Sequence, residues 1–299
     1  MVSGHGAGRQ RCYTARPMKR LKLCIQTAAV VLALALPCAA AAQIRNAQDL
    51  TTTRALAMGD AFRAIATSNE GIYFNLAGLA RVPRYEVDLV YLRDETGDLN
   101  LYNGSIVDGK STAVATGLAY SRLSSGGLDG HVVNLGFGLP LGHRAFLGFG
   151  LKYLNFSDPE ETNSITGDLG LIIQPVDLLA IGITTYNVID VHSSQAPRRA
   201  AIGAALGSDS NFHLASDVVF DFSGDDTELT FHAGAEYLLV GEFPLRAGFK
   251  RHDATGDDYL SAGLGWISPE FALEGAYVQN IGEGRGEDHT FSFTFKFFL

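Results

Sequence analysis

Thr290-Phe-Ser-Phe-Thr-Phe-Lys-Phe-Phe-Leu299, the closing stretch of the chain, decides the fold. Phe291, Phe293, Phe295, Phe297 and Leu299 recur at every second position, with Thr290, Ser292, Thr294 and Lys296 between them. A period of two puts each set on one face of a β-strand. Apolar rings on one side, and hydroxyls with a Lys on the other, suit a strand standing between lipid and a polar lumen. The last strand of a soluble sandwich would alternate in the same way, so the rest of the chain must decide.

The opposite end supplies the compartment. Met18-Lys-Arg-Leu-Lys22 is basic, Ile25 to Leu36 is a short apolar run, and Ala39-Ala-Ala-Ala42 offers an A-x-A cleavage site. This is a secretory signal peptide, and the run is too short to span a bilayer as a helix. Met18 is the expected initiator, and Ala35-Leu36-Pro37 before Cys38 makes a poor lipobox. All three cysteines (Cys12, Cys24, Cys38) precede Gln43. A mature chain without cysteine has no disulfide staple, thiolate metal site or Cys nucleophile. The first 42 residues carry six basic and no acidic residues, so their removal takes the net charge from −9 to −15. That acidity argues against nucleic acid as a partner. No motif points to a metal or other cofactor, and none is expected.

From residue 84 onward, alternating segments follow one another: Tyr85 to Tyr91, 98–107, 111–123, 131–139, 145–153, 165–173, 178–188, 199–206, 212–222, 229–237, 245–249, 259–267, 271–277 and the closing strand. About fourteen strands, an even number, is what a single-chain bacterial barrel requires. The connections also alternate. Asp108-Gly-Lys110, Pro140 to Gly142, Gln174 to Asp177, Gly207 to Ser210, Val240 to Glu242 and Ser268-Pro269 are tight. Those between them, such as Ser157 to Ser164 and Asp190 to Arg198, are mostly longer and more polar. Short periplasmic turns alternating with longer outer loops predict an all-β transmembrane up-and-down barrel with both barrel termini in the periplasm, lodged in outer-membrane lipid. The faces of the strands in 98–123 are not decided by pattern.

With the apolar face outward, the lumen receives Lys152, Asp168, His213, Asp217, Asp221, His232, Glu236, Arg246, Lys250, Glu274 and Lys296. A barrel of this size is wider than side chains alone can fill. Residues 43–83 do not alternate, and they are too apolar for a free tail and too short for a domain. The expected organisation is therefore a leader (1–42), a plug or hatch (43–83) and the barrel (84–299). Within the hatch, Asp60 is placed to cap a short helix over Ala61 to Thr67.

Arg54-Ala-Leu-Ala-Met-Gly-Asp-Ala-Phe62, followed by Ile72-Tyr-Phe-Asn75-Leu-Ala-Gly-Leu-Ala80, resembles the N-terminal signature of the FadL superfamily, in particular its PorV/PorQ branch. The resemblance implies a fourteen-stranded barrel with an N-terminal hatch. It makes Asn75 and Ala77 hatch positions, and Gly59 and Gly78 turn positions. Two residues depart from the pattern: Asp60 stands where Gly is usual, and Leu76 where Pro is usual. The missing Pro restores an N–H and a free φ.

The resemblance implies passive transport of hydrophobic molecules such as long-chain fatty acids or, as in PorV, an accessory role in protein secretion with a secreted partner. Ligand contact is expected around Phe62, Phe74, Asn75 and Leu76, with Arg54 and Arg63 available either for an acidic head group or for pairing with lumen acids. Gly148/Gly150 and Gly263/Gly265 are read either as kinks that open the wall or as packing glycines. His213, Asp217 and His232 share neighbouring faces, but no G-x-S-x-G or H-E-x-x-H motif accompanies them, and an enzyme is not expected. The C-terminal strand resembles the signal read by barrel-assembly machinery.

Overall fold

A computed structural model describes residues 49–95, 98–125, 129–158, 161–208, 210–224, 226–282 and 288–299. The expected signal peptide lies outside the described residues, as do residues 43–48 of the expected hatch.

Fourteen antiparallel strands close into one barrel: β1 (Tyr85–Asp94), β2 (Leu99–Asp108), β3 (Ala115–Ser124), β4 (Asp129–Pro140), β5 (Ala145–Asp158), β6 (Thr162–Val176), β7 (Leu179–Tyr186), β8 (Arg199–Ser208), β9 (Phe212–Asp221), β10 (Glu228–Leu239), β11 (Phe243–His252), β12 (Asp257–Ile267), β13 (Phe271–Asn280) and β14 (His289–Phe298). Closure is made by the closing aromatic strand. Val87 stands opposite Phe297, Leu89 opposite Phe295 and Tyr91 opposite Phe293. The rings of Phe291, Phe293, Phe295 and Phe297 face outward, while Thr290, Ser292, Thr294 and Lys296 are buried inside. Closure removes the free edges that β1 and β14 would otherwise present. The even strand number brings Tyr85 and Phe298 to the same end, here termed the turn end; the opposite rim is the loop end.

The outer wall is apolar from rim to rim, with aromatic residues near both. Tyr91, Tyr102 and Tyr120 lie toward the loop end, and Tyr237, Phe243 and Trp266 toward the turn end. This is the exterior of a membrane-spanning barrel.

Several boundaries differ from the sequence-based expectation. β3 begins at Ala115, because Asp108 Oδ1 accepts from the N–H groups of Lys110 and Ser111 and holds a wider turn. β5 and β6 extend into Ser157–Ser164, which leaves three residues between them. β7 stops at Tyr186, where Asn187 adopts a φ of +54°. No helix spans Ala61 to Thr67. Among the described residues the helices are α1 (Thr53–Ala57) and α2 (Ser68–Phe74), followed by a 3-10 turn at Leu76–Ala80.

Residues 49–84 run through the barrel along its length. Asp49 pairs with Arg199, the first residue of β8 at the loop end. Ala80 abuts Gly138 near the turn end of β4. Glycines on the inner wall make the room. A Cβ on Gly148 would stand 2.6 Å from Leu76 Cβ, one on Gly182 2.8 Å from the Ala64 nitrogen, and one on Gly234 2.8 Å from Met58 Cβ. Strand pairing is regular through Gly148, Gly150, Gly263 and Gly265. Gly148, Gly150 and Gly263 seat the interior segment, against Leu76 and Ala57, and none of the four kinks the wall.

Candidate functional site

The site is the contact between the interior segment and the inner wall. α1 starts where Thr52 accepts from the Ala55 N–H, and it ends at two consecutive left-handed residues, Gly59 (φ +62°) and Asp60 (φ +61°). Asp tolerates this conformation better than most side chains, which explains how Asp60 fits where the signature has Gly. Asp60 does not cap a helix. Its carboxylate accepts from Thr51 Oγ1 at 2.7 Å and pairs with Lys250 at 3.2 Å. The N–H groups it was expected to cap are taken across the barrel. Phe62 and Arg63 both donate to Asp217 Oδ2, at 2.7 and 3.0 Å.

Asp217 is the central anchor of that region. It also pairs with the Arg63 guanidinium at 3.3 Å, and Arg63 Nε donates to Tyr186 Oη at 3.2 Å. Tyr186 in turn donates to the Phe74 carbonyl at 2.6 Å. Phe62 and Phe74 meet at 5.6 Å, with the Arg63 guanidinium 5.2 Å from the Phe74 ring. Gly59 donates to Ser261 Oγ, and its carbonyl lies 2.7 Å from His232 Nδ1. His213 is 3.3 Å from Glu236. The two histidines and Asp217 thus serve three separate contacts.

The Asn75 turn is held from both sides. Its Nδ2 donates to the carbonyls of Arg63 and Leu171 at 2.9 and 3.1 Å, and its Oδ1 accepts from the Ala77 N–H. Leu76 lies over Gly136, Gly148 and Gly150, Ala77 is buried, and Gly78 stands against the Ala66 backbone. Phe62, Phe74, Asn75 and Leu76 are all buried, so they form packing, not an open surface.

Near the turn end, Arg54 makes a bidentate bond to Glu236 (2.9 and 2.7 Å), and Arg246 joins Glu236 to Glu274 (2.6 and 2.7 Å). Lys296 pairs with Glu70 of α2 and lies 3.3 Å from Asp88. Arg54 and Arg63 therefore take the second role open to them in the sequence, pairing with lumen acids. Glu70, Asn103, Tyr186 and Ser261 escaped sequence reasoning. Glu70 alone left a trace there, as a lone acid in an apolar stretch.

The loop-end interior is different. Leu92, Leu101, Leu123, Val132, Leu154 and Phe156 belong to one buried apolar cluster with Phe62, Ile72 and Phe74. The β7–β8 connection, 187–198, folds onto it through Val191 and Ala196. A polar knot holds that connection. Asn187 donates its N–H to Asp168 at 2.8 Å and its amide to the Pro197 carbonyl, while Lys152 pairs with Asp168 at 2.9 Å and donates to Asn187.

No family model matches the chain, and no curated protein does. Solved structures do. The Ralstonia pickettii toluene transporter TbuX superposes with a TM-score of 0.62 at 12% identity, over 85% of this chain and 99% of that one. This chain has the fold of FadL-type outer-membrane transporters. A FadL homologue from Pseudomonas aeruginosa gives 0.59 at 10% identity, over 87% and 99% of the two chains. The Pseudomonas putida toluene transporter TodX gives 0.59 at 12%, over 85% and 99%. At such identities the FadL-type likeness extends to the fold, and the PorV/PorQ branch is not singled out by it.

Proposed function

We propose that this chain is an outer-membrane channel for small, uncharged hydrophobic molecules, with the loop end outside the cell and the turn end in the periplasm. The observation that carries this reading is the apolar sector of Leu92, Leu101, Leu123, Leu154 and Phe156, inside a barrel whose inner wall elsewhere carries ion pairs such as Arg246–Glu274 and Lys296–Asp88. An aqueous pore has no use for such a lining, whereas a hydrophobic solute does. Arg63 and Lys152, which flank the region, are both committed to buried carboxylates. That favours hydrocarbons over fatty acids, because a carboxylate would have to break one of these pairs. The sector is packed, so passage requires the 187–198 connection and part of the interior segment to shift.

The test is uptake of a radiolabelled monoaromatic, and of a long-chain fatty acid, by cells with an intact lipopolysaccharide outer membrane that carry or lack the barrel. Faster uptake of the aromatic alone is the expected result. Equal rates with and without the barrel would sink the proposal. An accessory role in secretion rests on the Arg54–Ala80 signature alone, and it predicts a stoichiometric exported protein on the purified barrel.

A further inference from the structure

A second cavity, of about 610 Å³, opens at the turn end, away from the apolar sector. This volume is within the range of small-molecule sites. Its charged lining comprises Arg54 with Glu236, Arg246 with Glu274, Lys296 with Glu70, and Arg84, which pairs with Glu86. Three of these side chains are almost wholly inside protein: Arg246 is 1% exposed, Glu274 2% and Glu70 1%. The neutral part of the lining includes Leu238, Ile267 and Phe298.

Arg246 and Glu274 lie on β11 and β13, with β12 between them. In register they face Gly263 and Gly265 respectively, and a Cβ on Gly265 would stand 3.3 Å from Glu274 Cγ. Each keeps one buried atom, Arg246 Nη1 and Glu274 Oε2, that has no hydrogen-bond partner among the described residues, although the Lys296 ammonium lies 3.7 Å from Glu274 Oε2. Leaving such atoms unmatched is costly. A donor and an acceptor of opposite charge therefore stand side by side in one accessible cavity.

The geometry points to a binding site for a zwitterionic amphiphile, its anionic group at Arg246, its ammonium at Glu274 and its apolar part on the Leu238–Ile267–Phe298 side. A plain anion entering the cavity meets three carboxylates, and a plain cation meets four cationic side chains. A ligand carrying both signs satisfies both, with charge-assisted bonds at each end. The site is separate from the apolar sector, so it stands or falls independently of the transport reading.

Titration calorimetry on the full-length barrel in an uncharged detergent tests it. The probes are dihexanoyl-phosphatidylethanolamine, dihexanoyl-phosphatidylglycerol and free phosphoethanolamine. The first is expected to bind at least about tenfold more tightly than the other two, a difference near 1.4 kcal/mol. Glu274→Gln, which keeps the side-chain shape, is expected to abolish that preference while the variant still shows the heat-dependent gel shift of a folded barrel. Should the variant not fold, native mass spectrometry of the wild-type barrel decides instead: a retained zwitterionic phospholipid supports the site, and an anionic one overturns it. Equal or tighter binding of the glycerol lipid overturns the proposal, as does an absence of binding by all three. Equal binding of free phosphoethanolamine overturns the amphiphile and leaves a site for soluble zwitterions.

Discussion

The loop-end interior of β1–β5 and the turn-end interior of β10–β14 are lined by the same kind of strand and solve the same problem with opposite chemistry. The first fills space with Leu92, Leu101, Leu123, Val132 and Leu154. The second fills it with Glu236, Arg246, Glu274 and Lys296, paired with one another and with Arg54 and Glu70 of the interior segment. Apolar packing is non-directional and accommodates another hydrophobic body of similar volume. Buried ion pairs are directional and punish the loss of one partner more than the loss of both. On the transport reading proposed above, the difference assigns roles: the charged half holds the interior segment in place, and the apolar half is where a hydrophobic solute can substitute for protein.

The largest effect is expected from Asp217→Ala, which leaves Arg63 buried without its carboxylate and frees the N–H groups of Phe62 and Arg63. A loss of about 3–5 kcal/mol should appear in urea unfolding, together with protease access to the interior segment. An unchanged midpoint would mean that the charged anchors do not hold it. Leu154→Ala, in the apolar half, should cost about 2–5 kcal/mol and leave the interior segment protected. Because the cavity it creates has the chemistry of the solute, uptake of the monoaromatic should rise; a fall would contradict the role given to this sector.

Gly148→Ala tests the seating between the two halves. The new methyl meets Leu76 Cβ at 2.6 Å, and overpacking of this kind costs about 1–3 kcal/mol. Loosening of the Asn75 turn, read by hydrogen exchange, is the expected sign. The smallest effect concerns pH. Burial raises the pKa of Asp49, but Arg199 and Lys250 outweigh it and bring the value from 3.8 to about 2. A carboxylate with a lowered folded-state pKa contributes stability that is complete above its ordinary value and is lost as pH falls toward the lowered one. The first part of the interior segment should therefore loosen between pH 3.8 and about 2, and Asp49→Asn should remove that dependence from hydrogen-exchange profiles.

The two halves were unequally legible before the structure. In the charged half, polar residues alternate with apolar ones, so inward positions such as Glu236, Arg246 and Lys296 could be read from the period alone. In β2 and β3 both faces are apolar near the loop end, with Tyr102 and Tyr120 outside and Leu101 and Leu123 inside. Periodicity has nothing to distinguish there. The expected helix after Asp60 failed for a related reason: its free N–H groups found a partner on β9, some 155 residues away. Local capping rules do not see such a partner.

What the sequence determined by itself is the barrel. Strand number, the outward face of most strands and the closing aromatic strand follow from a period of two repeated between turn signals, and that period is a local property of the backbone. What only the tertiary structure decided is which charges pair, why inner-wall glycines such as Gly148 and Gly182 are small, and where the apolar sector lies. Each of these depends on a chain segment brought through the barrel from far away in sequence. Long-range contacts of this kind leave no period behind. The Phe rows of Thr290–Leu299 announce a membrane strand on their own, but that Lys296 among them would meet Glu70 could be known only once the barrel had closed.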